Sequence, residues 1–166
     1  MRIISYFVIY INNQCAKMLQ SSEKDVIIFS KHLIFNEADM TRNELEELIL
    51  NTYGVSADYP FDSSPEIPVF RHPSNKKWFA VIMTIPKCKL GIKEVGNVDI
   101  VNLKCSQEII DSFWQETGIY PAYHMNKAHW LSVCLDGSAP DEAVDFLLDV
   151  SFKATLPKIS KRLKTK

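Results

Sequence analysis

Two rhythms of apolar and polar residues run along the chain from Met40 onward. Thr41-Arg42-Asn43-Glu44 opens the first as a capping box, in which Thr41 accepts from the Glu44 N–H and Glu44 reaches back to the cap. Leu45, Leu48, Ile49 and Thr52 then share one helical face and Gly54 supplies a left-handed stop, which predicts a helix over 42–53. The rhythm changes at Ile67–Arg71, an extended run that Pro68 pushes toward a sheet edge or a strand start. Trp78–Ile85 is apolar on both faces, which predicts a central strand, and Asn97–Lys104 is a third. Ser106 is expected to cap a helix whose inner face carries Ile109, Ile110, Phe113 and Trp114 and which Gly118 ends. A strand at Trp130–Leu135 and an Asp136-Gly137 turn follow. Ser138 and Asp141 then form an expected second capping box, with Pro140 in the first turn, opening a helix over 141–154 that buries Val144, Leu147, Leu148 and Phe152.

The order α-β-β-β-α-β-α predicts an α+β fold of two layers: an antiparallel sheet with helices on one face. A doubly wound parallel sheet is disfavoured, because no helices separate the first three strands. These elements make residues 40–157 one domain, followed by a basic tail over 158–166. Residues 1–39 read as an unassigned accessory segment with β-like runs at Ile3–Ile11 and Val26–Phe29. The first run lacks a small-residue cleavage site and falls well short of the roughly 20 residues that span a bilayer. A cytoplasmic protein without membrane contact is therefore expected.

Charge sharpens the picture. The 166 residues carry a net charge of only −1, but the charge is segregated. Residues 71–104 hold seven basic and two acidic side chains, whereas 105–152 hold one basic and eight acidic. Both expected hairpin tips fall in the positive block: Arg71, Asn75, Lys76 and Lys77 at one, Lys87, Lys89 and Lys93 at the other, with Lys104 ending the third strand. Such tips suit phosphate contacts. Lysines there also serve as plain solvated edge protection. The four cysteines, Cys15, Cys88, Cys105 and Cys134, are scattered without a C-x-x-C pair, as expected of free thiols in a reducing compartment.

The densest chemistry lies in Tyr120–Gly137, where His124, Asn126, Lys127, His129 and Trp130 crowd a turn leading onto an apolar strand. His124 and His129 are five apart, as are His129 and Cys134, so regular backbone sets each pair on different faces and favours neither a metal site nor a Cys–His nucleophile. No P-loop, dinucleotide glycine pattern, H-E-x-x-H or G-x-S-x-G is present. The expectation is a binding protein that is not an enzyme, without catalytic residues, cofactor or metal. Trp78 and Trp114 are expected in the core. Trp130 suits either the core or stacking on a base.

Six pieces in one order resemble the MmcQ/YjbR family: Asp58-Tyr59-Pro60-Phe61, Val69-Phe70-Arg71-His72, Asn75 through Ala80, Asn102-Leu103-Lys104, Tyr123-His124-Met125-Asn126-Lys127 with His129-Trp130, and Asp136-Gly137 before Pro140-Asp141-Glu142. The resemblance covers about 40–157. It implies a fold similar to type III secretion chaperones and a double-wing DNA-binding surface built from projecting hairpins, and it ties no enzymatic activity or cofactor to the family. Two functions stay open. One is DNA binding through Arg71, Asn75, Lys76, Lys77, Lys87, Lys89, Lys93 and Lys104, with Asn126 and Lys127 adjoining. The other is a protein-interaction or small-ligand module at His124, His129 and Trp130.

Overall fold

The computed structural model describes residues 40–157. The runs at Ile3–Ile11 and Val26–Phe29 and the basic tail lie outside the described residues. Within them, helix α1 (Arg42–Tyr53) begins at the Thr41–Glu44 capping box and stops at Gly54 in the left-handed conformation. Strands β1 (Val69–Arg71), β2 (Trp78–Pro86) and β3 (Asn97–Lys104) follow, with a short 3-10 helix at Lys87–Leu90 between the last two. Helix α2 (Gln107–Ser112), β4 (Ile119–Pro121), β5 (Trp130–Cys134) and α3 (Asp141–Ala154) complete the domain.

All pairings are antiparallel, in the order β1-β2-β3-β5-β4. The architecture is the α+β two-layer one. β2 is an interior strand, as its two apolar faces predict, lying between β1 and the middle strand β3. The chain also adds an edge strand, β4, inside a stretch read as loop. Pro121 ends that strand, a position where a missing N–H costs little.

One face of the sheet carries Phe70, Ala80, Ile82, Val101, Leu103, Leu131, Val133 and Ile119, which share a core with Leu45 and Ile49 of α1, Ile110 of α2 and Val144, Leu147 and Leu148 of α3. The helices therefore sit on one face. Alternation sends Ile85, Val98, Ile100 and Cys134 to the opposite face, where Met83, Leu90, Tyr120 and Tyr123 pack against them. Two-sided burial of β2 thus has the helix-side core on one face and this second small cluster on the other.

A bulge breaks this alternation at the start of β2. Phe70 pairs with Ala80 but Arg71 pairs with Trp78, so Phe79 is the extra residue. Phe79 and Ala80 both join the helix-side core, which turns Trp78 and Arg71 to the other face. Ser151 of α3 repairs the ladder at this point. Its fully buried hydroxyl donates to the Phe79 carbonyl and accepts from the Lys104 N–H at 2.7 Å, inserting itself between β2 and β3.

The second capping box does not form. Pro140 is the N-cap of α3 and contributes no side-chain bond. The Ser138 hydroxyl instead donates to Asp136 at 2.6 Å, and Asp141 accepts from the Met40 N–H at 3.1 Å, 101 residues away in sequence. Helix α2 ends at Ser112, six residues before the expected Gly118. Ser112 turns its hydroxyl back onto the Glu108 carbonyl, a bond that competes with further helix, and Gln115 takes φ +78°. Phe113 stays buried, but Trp114 is 61% exposed and leaves the core to which the helical pattern assigned it.

Candidate functional site

The β1–β2 turn is fastened from three sides. The His72 N–H donates to the Lys77 carbonyl at 2.8 Å and the Lys76 N–H to the His72 carbonyl at 2.9 Å. Asn75 donates its side-chain amide to the Thr155 carbonyl at 2.7 Å and accepts from the Lys77 N–H at 3.0 Å. Its side chain is thereby committed to holding the turn against the end of α3. His72 is buried, accepting at Nδ1 from the Ser74 N–H and packing its ring 4.6 Å from Phe152. Lys76, at φ +60°, and Lys77 project from this frame exposed and enter no ion pair among the described residues. Arg71 is tied down: its Nε lies 2.6 Å from Asp58 Oδ2 and its guanidinium 5.3 Å from the Trp78 ring centroid.

The β2–β3 connection carries the other lysines. Lys87 contacts Glu94 at 2.6 Å and Asp136 at 3.8 Å, and the hydrogen bond to Glu94 raises its pKa. Its charge is already answered. Lys89 and Lys93 are exposed and unpaired among the described residues. The nine residues of β2 separate the two connections by about 26 Å, at about 3.3 Å per step. The positive block of the sequence is therefore two sites, one at each end of β2. Lys104 ends β3 on the Lys76–Lys77 side, because Leu103 pairs with Ala80.

The turn before β5 is hung from a buried polar pair. Ser132 and Asn102 face each other across β5 and β3, both fully buried, and the Ser132 hydroxyl donates to Asn102 Oδ1 at 2.7 Å. Ser132 also accepts from the Tyr123 N–H at 2.8 Å, which fixes the entry to the turn. Asn126 accepts from the Ala128 N–H at 3.0 Å, the turn role its residue type favours. The left-handed residue, however, is His124, at φ +57°, with its ring 4.1 Å from Tyr123. His124, Lys127 and His129 are exposed, whereas Trp130 is buried with Lys104 Nζ 5.8 Å from its ring. Sequence reasoning missed Ser132 and Tyr123 as organisers of this turn. The signal available was Asn102 and Ser132, polar residues inside otherwise apolar strands.

A groove of about 440 Å³ lies elsewhere, lined by Phe113, Trp114, Ile119, Tyr120, Pro121 and Leu131 among others, and His124, His129 and Trp130 are not in its wall. Burial pushes the Cys105 thiol up to about 12 and the Cys134 thiol up to about 11, so neither supplies a thiolate near neutral pH. Among the described residues, no three His, Cys, Asp or Glu side chains gather as a metal site and no helix is long and apolar enough to cross a membrane.

An antiparallel sheet with helices on one face and lysine-bearing connections at both ends of its longest strand defines a small α+β domain with a basic periphery. The YjbR family model matches residues 50–154, and the chain belongs to this family, also known as MmcQ/YjbR. It is 40% identical over 116 residues to the uncharacterized Bacillus subtilis protein YyaQ, covering 70% of this chain and 98% of YyaQ. It is 43% identical over 63 residues to the uncharacterized Escherichia coli protein YjbR, covering 37% of this chain and 53% of that protein. Among solved structures, a Pseudomonas syringae protein matches with a TM-score of 0.68 at 38% identity, over 70% of this chain and 100% of that one. A Deinococcus radiodurans protein with a DUF419 domain matches with a TM-score of 0.54 at 25% identity, over 80% of this chain and 87% of that one.

Proposed function

We propose that this protein is a non-enzymatic DNA-binding module that grips phosphates with two basic wings, the β1–β2 turn and the β2–β3 connection. The observation that carries the reading is the pair of lysine couples, Lys76–Lys77 and Lys89–Lys93, exposed and without ion pairs among the described residues at opposite ends of β2. Unpaired ammonium groups on fastened turns gain more from a phosphate than ion-paired ones, because no carboxylate must be displaced first. Lys87 drops out of the contact set for that reason. The alternative at His124, His129 and Trp130 lacks such an observation: the groove among the described residues is lined by other side chains.

The test is salt dependence. Four phosphate contacts predict that log affinity for duplex DNA falls against log salt with a slope near about −3.6. Replacing Lys76, Lys77, Lys89 and Lys93 with glutamine should flatten that slope while leaving the thermal melt in place. Binding that ignores both salt and these substitutions would remove the wings from the function.

A further inference from the structure

Four consecutive strands of the sheet end, on the face away from the helices, in a row of alternating cations and indoles. Across the sheet the row runs Arg71 of β1, Trp78 of β2, Lys104 of β3 and Trp130 of β5. The bulge at Phe79 creates it, because without the extra residue Trp78 would point to the helix side. Each cation lies against an indole: the Arg71 guanidinium 5.3 Å from the Trp78 centroid, the Lys104 ammonium 5.8 Å from that of Trp130. Phe61 braces Trp78 edge-on at 5.8 Å and 90°, and Asp58 holds Arg71 at 2.6 Å. The β2–β3 ladder stops at Ala80–Leu103 and Ser151 lies between the strands beyond it, so the row is two cation–indole pairs, Arg71–Trp78 and Lys104–Trp130, one on either side of that gap.

We propose that this row is a track for an unpaired nucleic-acid strand, with Lys104 taking a phosphate and a base lying on the half-exposed Trp78 indole beside Arg71. The inference rests on the nucleic-acid reading above and narrows it to a strand whose bases are free. A half-exposed indole with a guanidinium beside it offers a base an aromatic face next to a cation, and bases inside a duplex cannot be reached this way. The partner is a polyanion because the cations outnumber the acids: Arg71 is answered by Asp58, while Lys104 and the nearby Lys76 and Lys77 enter no ion pair among the described residues. The indoles hold the row's two cations in place, so less side-chain freedom is lost when a strand docks.

The experiment titrates the full chain, carrying Trp114→Phe to silence the exposed indole, with three polyanions at one ionic strength: oligothymidine of about a dozen nucleotides, a duplex of equal length, and inorganic polyphosphate. Anisotropy and tryptophan fluorescence are read together. Oligothymidine should bind about tenfold more tightly than either other polymer, the equivalent of one stacked base, and should quench the tryptophans. Lys104→Gln, checked by thermal melt, should lower that affinity about tenfold. Duplex binding with the expected salt slope, but no oligothymidine preference and no quenching, would overturn the track and leave the DNA-binding reading standing. Polyphosphate binding as tightly as oligothymidine would also overturn it. Failure of all three polymers to bind would remove both readings.

Discussion

Neighbouring residues of the turn before β5 have opposite jobs, and substitution should separate them. Trp130 is 7% exposed at the start of β5, so truncation leaves a cavity beside Lys104; Trp130→Ala should cost about 3 kcal/mol in thermal or denaturant melts. Lys127 is exposed and lends no side chain to the turn's bonds, so Lys127→Ala should leave stability within about 0.5 kcal/mol. If Lys127 adjoins the nucleic acid, the same variant weakens binding; a variant that melts early yet binds normally would make the lysine structural. The thiols divide in the same way. Cys88 is exposed, whereas burial raises the pKa of Cys105 and Cys134 to about 12 and about 11. A thiol reagent at mildly alkaline pH should modify Cys88 quickly and reach Cys105 and Cys134 only on unfolding, as peptide mapping would read. Fast modification of Cys134 in the folded protein would contradict its burial.

At the scale of elements, the two helix starts show what local sequence can decide. The Thr41–Glu44 box forms as read because all its bonds are local, and the Thr41 N–H holds the Glu44 pKa below its ordinary value of 4.5. A lowered folded pKa contributes stability above the ordinary value and loses it as pH falls through the folded one. Glu44→Gln keeps the geometry of the box and removes the titration, so stability should fall less steeply below about pH 4.5 than in the parent; matching acid profiles would deny the box that role. The Ser138–Asp141 box fails because Asp141 finds a partner 101 residues away at the Met40 N–H. No local pattern carries that information. Trp114 and the early end of α2 were illegible for a related reason: the chain must leave the helix for Gly118 to pass against the β5–α3 connection. A Cβ on Gly118 would lie 2.3 Å from the Ala139 nitrogen, and its φ is +77°. Gly118→Ala should therefore destabilise by more than about 2 kcal/mol, and an unchanged melting temperature would mean the two connections can separate. The strand order was hidden too. Residues 119–121 are too short to show alternation, and β4 exists because β5 offers it an edge.

For the whole molecule, the question is whether residues 40–157 carry the fold without the 39 before them. The first described residue is already part of the domain: Met40 is buried in the helix-side core and its N–H is bonded to Asp141. α1 packs its Leu45 and Ile49 into the core shared with α3, and Ser151 pins α3 to β2 and β3. A 116-residue match covers 98% of the Bacillus protein, and 70% of this chain covers all of the Pseudomonas chain. A fragment from Met40 to Pro157 should thus be soluble and unfold in a single cooperative transition, with near-ultraviolet circular dichroism matching that of the full chain over the tryptophan bands. A transition broadened relative to the full chain, or dye binding typical of a molten state, would show instead that residues 1–39 complete the core. Cooperative unfolding at a lower temperature is the intermediate outcome; it would give residues 1–39 a stabilising contact while leaving the domain boundary at Met40.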